Sequence, residues 1–168
     1  ALRDKSGLVA VQASAALAEL GESDGIDRLI EYAYGELNAR MLALQGLAHK
    51  PDERARETLT YILRNEEEYV EARLAAARGL GGLNSNAGFE LAERHLAHTN
   101  KDANEQARVR VLAATALGAI GDERALPALR DAAESSGDER VQVAASYAIL
   151  QILKKSESSG SASRRAGK

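Results

Sequence analysis

Residues 107–153, ARVRVLAATALGAIGDERALPALRDAAESSGDERVQVAASYAILQIL, nearly state one pattern twice. Val109-Arg110-Val111 returns as Val141-Gln142-Val143, and Ala116-Leu117 returns as Ala148-Ile149. Internal repetition at this period restricts a chain to stacks of small modules, each resting on its neighbours. Taking Leu117 as an anchor, the equivalent residues are Leu17, Leu47, Leu80 and Ile149, at intervals of 30, 33, 37 and 32 residues. Eight residues before the anchors stand Val9, Ala39, Ala72, Val109 and Val141, and four before stand Ala13, Ala43, Ala76, Ala113 and Ala145. One before stand Ala16, Gly46, Gly79, Ala116 and Ala148, and three after stand Leu20, Lys50, Leu83, Ile120 and Ile152. Offsets of −8, −4, −1, 0 and +3 share one face of a helix, so each segment predicts a helix with that face buried.

The punctuation agrees. Gly21, Pro51, Asn84 and Gly121 follow the first four anchors. Gly and Asn accept the left-handed conformation that ends a helix, and Pro cannot continue one. Asp24, Asp52, Ser85 and Asp122 then stand where an N-cap is wanted. A second helix follows, anchored by Leu29, Leu59, Ala92 and Leu129, with Pro127 near the start of the fourth. Each module is thus two antiparallel helices. The longest interval contains HTNKDANEQ (98–106), which predicts a longer surface loop. The acidic stretch NEEEYVEAR (65–73) predicts carboxylates in the first turn of a helix, favoured by its dipole. The chain divides into a repeat region, 1–155, and a polar Ser/Gly-rich tail, 156–168, whose composition predicts disorder. ALRDKSG is too short to cap the stack, so the first unit is expected to lack its leading helix and the natural protein to extend N-terminally.

Composition narrows the chemistry. Apolar residues make up 45% of the chain but aromatics only 4%, with no Trp, which suits close helix packing better than a large ligand pocket. A net charge of −3, with Lys and Arg dispersed, argues against a nucleic-acid backbone as the main partner. The absence of Cys removes disulfides, thiolate metal sites and thiol catalysis. No apolar run approaches membrane-spanning length, so no membrane insertion is expected. His95 and His98 share a helical face, but two imidazoles without a third ligand make a weak metal site. GLGGL (79–83) lies within a helical pattern, where its use is close packing and not phosphate binding. No catalytic cluster, metal site or cofactor is expected.

VRVLAATALGAIGDERALPAL (109–129) resembles the short HEAT-like repeats named in part for the phycobilin lyases that contain them. LAAARGLGGLN (74–84) and ASAALAELGES (13–23) fit more loosely, and ARMLALQGLAHKPDE (39–53) fits least. The resemblance spans residues 8–153. It implies an all-α, right-handed α-solenoid of stacked antiparallel helix pairs, HEAT/armadillo-like, of about four and a half pairs. It also implies either a scaffold or, as the alternative, a lyase attaching a bilin chromophore.

Two rows frame the functional expectation. Arg40, Arg73 and Arg110, seven before the anchors, read either as a basic ladder for an acidic ligand or as a hydrogen-bond ladder fixing the stack; their place beside the core favours the second. Val11, Met41, Leu74, Val111 and Val143, six before the anchors, are apolar in every unit and lie away from the predicted core. They predict an apolar stripe along the concave face, joined by Gln45, Arg78, Thr115 and Tyr147. Tight curvature that packs these residues on one another would bury the stripe. The expected activity is non-catalytic binding of a protein or peptide, or of another part of the parent chain, in that groove.

Overall fold

The computed structural model describes residues 7–49 and 51–166. The opening ALRDKS, Lys50 and the last two residues of the tail, with the expectations placed on them, lie outside that range. Every regular element among the described residues is helical. The α-helices are α1 Gly7–Leu20, α2 Ser23–Ala33, α3 Leu37–Gly46, α4 Glu53–Arg64, α5 Val70–Gly82, α6 Phe89–Leu96, α7 Ala103–Ile120, α8 Leu126–Ser135 and α9 Glu139–Ala166, with a 3₁₀ turn at Glu123–Ala125. They gather into two compact units, one ending at Gly88 and one beginning at Phe89.

In the first unit α1 packs on α2 and α3, α3 on α5, and α4 on α2 and α5. In the second, α7 packs on α6 and α9, and α8 on α9. Contacts therefore run between neighbours in the repeat order, as in a solenoid. The second-helix anchors Leu29, Leu59, Ala92 and Leu129 are all fully buried. The first-helix anchors Leu47, Leu80 and Leu117 are buried with them. Each such leucine contributes roughly 1.5–3 kcal/mol by leaving water.

The predicted turn residues do the predicted work. Gly21 (φ 90°), Asn84 (φ 61°) and Gly121 (φ 77°) each sit four residues past an anchor in the left-handed region. Pro127 lies in the first turn of α8. Small residues mark the seams: a Cβ on Gly79 would stand 2.9 Å from a methyl of Leu59 and 3.1 Å from the Leu44 carbonyl oxygen.

Four local expectations need correction. Asp24 lies inside the first turn of α2, whose N-cap is Glu22. The 98–106 segment is only partly loop: Asp102 accepts hydrogen bonds from the Asn104 and Glu105 amides, so α7 begins at Ala103 and gains an extra N-terminal turn. In 65–73 the Asn65 side chain accepts from the Glu67 amide and holds a turn, which delays α5 until Val70 and leaves only Glu71 in its first turn. In α1 the turn matches the other repeats but the buried face does not. Ala10, Val11, Ser14 and Ala18 are buried, while Val9 and Leu20 are exposed. The reason is that α2 and α3 cover α1 on one side and its −8/+3 side stays open. At the other end, α9 runs to Ala166, into the polar stretch; Ile152 is its last buried apolar side chain among those described.

Candidate interaction site

An anchor helix inside the stack has two faces to bury. The seams within each unit show which residues meet. Gly46, one before its anchor in α3, faces Ala15 of α1 and Leu29 of α2. Gly79, one before its anchor in α5, faces Leu44 of α3. Gly118 of α7 faces Ala148, one before its anchor in α9. In these three seams, each within one unit, the earlier anchor helix offers its −3, −2 or +1 side and the later one receives it at −1. On a helical wheel the −6 position lies about 120° from the anchor, on the side offered forward.

That placement decides the fate of the five apolar −6 residues. Val11 (1% exposed) and Leu74 (0%) are interior. Met41 and Val111 are half-buried, and Val143 is 70% exposed. The five do not form one continuous exposed stripe. Of the flanking residues, Gln45 and Tyr147 are exposed, whereas Arg78 and Thr115 are half-buried. The Thr115 hydroxyl donates to the Leu112 carbonyl at 2.9 Å and so is engaged within its own helix.

On α9 the forward side is uncovered. Val143, Tyr147, Leu150 and Leu153 are all exposed there, at spacings of four, three and three residues that align them along one face. The sequence reading caught Val143 and Tyr147 and missed Leu150 and Leu153. The available signal was distribution: apolar residues surround α1, α3, α5 and α7, but concentrate on one side of α2, α4, α6 and α8. Helices of the first kind have two faces to cover.

The arginine row is structural. Arg40 donates through Nε and Nη2 to the Gly35 carbonyl just past α2, and its guanidinium pairs with Glu68. Arg73 Nε donates to the Leu63 carbonyl at the end of α4 (3.1 Å), and Arg110 Nε to the Leu96 carbonyl at the end of α6 (2.8 Å). Gln142, in the same position of the last repeat, donates through Nε2 to the Ser136 carbonyl past α8 (2.8 Å). Each thus caps a helix end whose carbonyls lack an intrahelical partner. Arg110→Met is expected to lower stability by about 1–3 kcal/mol, because it leaves a part-buried carbonyl unpaired. Urea unfolding of Arg110→Met beside a substitution of the exposed Arg130, Arg130→Met, checks it; equal losses would contradict this assignment.

Aspartates hold the opposite ends. The Asp52 carboxylate accepts from the Ala55 amide at 3.1 Å. Burial works to raise its pKa, but that bond and the Arg54 guanidinium together hold it below the ordinary value. The Arg124 guanidinium and amide lower Asp122, and Arg140, bonding by side chain and amide, takes Asp138 down to about 2. All three pKa values are depressed on folding. Their contribution is therefore complete above the unfolded-state value of about 3.9 and fades as pH falls towards 2. Acid titration followed by circular dichroism is expected to show stability falling between about pH 4 and pH 2. Asp138→Asn should reduce that slope.

Elsewhere, the His95 and His98 rings stack 6.0 Å apart, and His95 Nδ1 lies 2.8 Å from the Leu91 carbonyl oxygen. No cluster of three metal-ligating side chains occurs among the described residues. No described helix is long and apolar enough to cross a membrane. A cavity of about 520 Å³ runs along α4 past Arg56, Tyr61 and Arg64 and contains none of the predicted site residues.

The fold is that of a helical repeat protein. Residues 72–150 match the family model for HEAT repeats. The matching model is that of HEAT repeats in general and does not specify the phycobilin-lyase kind. The curated proteins contain no match to the chain. HEAT repeats are commonly protein-interaction scaffolds.

Proposed function

We propose that this chain is a non-catalytic scaffold that binds an apolar helical segment of a protein through the forward face of α9. The observation that carries the reading is the row Val143, Tyr147, Leu150 and Leu153, exposed on one face of a helix whose opposite face buries Val141, Ala145, Ala148 and Ile152. Such a face suits an amphipathic helix laid along it, with anchors at helical spacing.

Selection from a displayed library of helical peptides tests it. Binders are expected to be amphipathic and to lose at least about ten-fold in affinity for Val143→Asp/Leu150→Asp. They should be unaffected by Gln45→Ala/Arg78→Ala. The reverse pattern would move the site to the groove positions and end the α9 assignment.

A further inference from the structure

In the first unit α2 and α4 touch along one seam. Asp27 pairs with Arg54 across it, 27 residues apart in the chain. About two turns further on, in the same register, the Tyr34 and Tyr61 rings meet, with centroids 6.2 Å apart and planes tilted by 58°. Arg40 ties the α4–α5 connection to this end of the seam. Its Nε and Nη2 donate to the Gly35 carbonyl, next to Tyr34, and its guanidinium pairs with Glu68, next to Tyr69. Tyr34, Tyr61 and Tyr69 are each more than half exposed. Aromatics are only 4% of the chain, so three of them in water at one end of one unit are a concentration.

Charge gathers at the same end. Glu36 lies in the connection after Tyr34, and Glu66 and Glu67 lie in the one before Tyr69; all three are exposed. Among the described residues no side chain pairs with any of them. The cations nearby are engaged: Arg28 with Glu31, and Arg40 and Arg73 with helix-end carbonyls. Arg64, in the last turn of α4, is the exception among the described residues. Three free carboxylates thus stand against one free guanidinium.

We propose that this end of the first unit binds a basic polypeptide segment, with an arginine laid over the Tyr34–Tyr61 pair and neighbouring cations met by Glu36, Glu66 and Glu67. A guanidinium is planar and weakly hydrated and stacks on tyrosine faces, so it gains from rings left in water. The carboxylates steer a cationic partner in and oppose an anionic one, a nucleic acid included. The surface shares no residue with the α9 face, which belongs to the other unit.

Fluorescence anisotropy of a labelled peptide of alternating Arg and Gly, titrated with the 168-residue chain, tests it. Saturable binding is expected, weakening as salt rises from about 50 mM to about 500 mM. Tyr34→Ala/Tyr61→Ala should weaken it at least about five-fold, while Tyr34→Phe/Tyr61→Phe, which keeps both ring faces, should retain it. Glu36→Gln/Glu66→Gln/Glu67→Gln should weaken it comparably. Glu123→Gln/Glu134→Gln/Glu139→Gln, an equal change of charge on exposed residues of the second unit, should not. Where the alanines lower helicity, the two glutamine sets decide. Absence of saturable binding overturns the proposal, as does wild-type affinity in a folded alanine variant. So do equal losses in the two glutamine sets, or tighter binding of an Asp-Gly peptide or a single-stranded oligothymidylate of the same length.

Discussion

Ile152→Ala is expected to lower the free energy of unfolding by about 2–5 kcal/mol, whereas Leu20→Ala changes it by less than about 0.5 kcal/mol. The two residues stand at the same offset from their anchors. They differ only in what lies outside them. Ile152 is fully buried on the side of α9 that receives α7. Leu20, at 77% exposure, stands on the side of α1 that no described helix covers. Truncating the first removes apolar contacts and leaves a cavity; truncating the second removes a side chain already in water. Urea unfolding at low micromolar concentration is the measurement, since dilution keeps any association between copies out of the reading. Comparable losses would mean that the open side of α1 is covered in the monomer.

Gly25→Ala is expected to cost about 1–3 kcal/mol, a large penalty for one methyl group. A Cβ there would lie 2.5 Å from the Ala18 nitrogen, 2.6 Å from the Ser14 oxygen and 2.9 Å from the Leu17 carbonyl carbon. All three are backbone atoms of α1, so no side chain can swing aside and the helices must separate. Gly7→Ala, with nothing within 4 Å of the added carbon, is the control and should be neutral or slightly stabilising. A fall in melting temperature for Gly25→Ala alone is the expected outcome. An unchanged melting temperature would show that α1 and α2 do not cross that closely.

The repeat was legible because it is written twice over, in helix period and in punctuation. Leu29, Leu59, Ala92 and Leu129 could be placed in the core from spacing alone, and Gly21, Asn84 and Gly121 from the steric freedom their turns demand. The bonding of Arg73 and Arg110 was foreseeable from their position beside the core. What spacing could not supply was the number of faces a helix must bury. One buried face per helix was the working assumption, and under it Leu74 belonged on the surface. Helix α5 buries Ala77 on one side as well as Leu80 on another, and Leu74 is as deeply buried as Leu80. The phase of α1 was misread for the converse reason, because no described helix covers its −8 and +3 residues. The early start of α7 turned on one carboxylate, Asp102, reaching two amides, which a period-based reading does not register.

The side chains that close α4, α6 and α8 arrive late in the chain. Leu63 waits ten residues for Arg73, and Leu96 waits fourteen for Arg110. During synthesis the newest of these helices therefore emerges with an unfinished end, and the next segment to leave the ribosome completes it. Truncation just before Arg110 should fray α6 first, a loss that hydrogen exchange at its last turn would record.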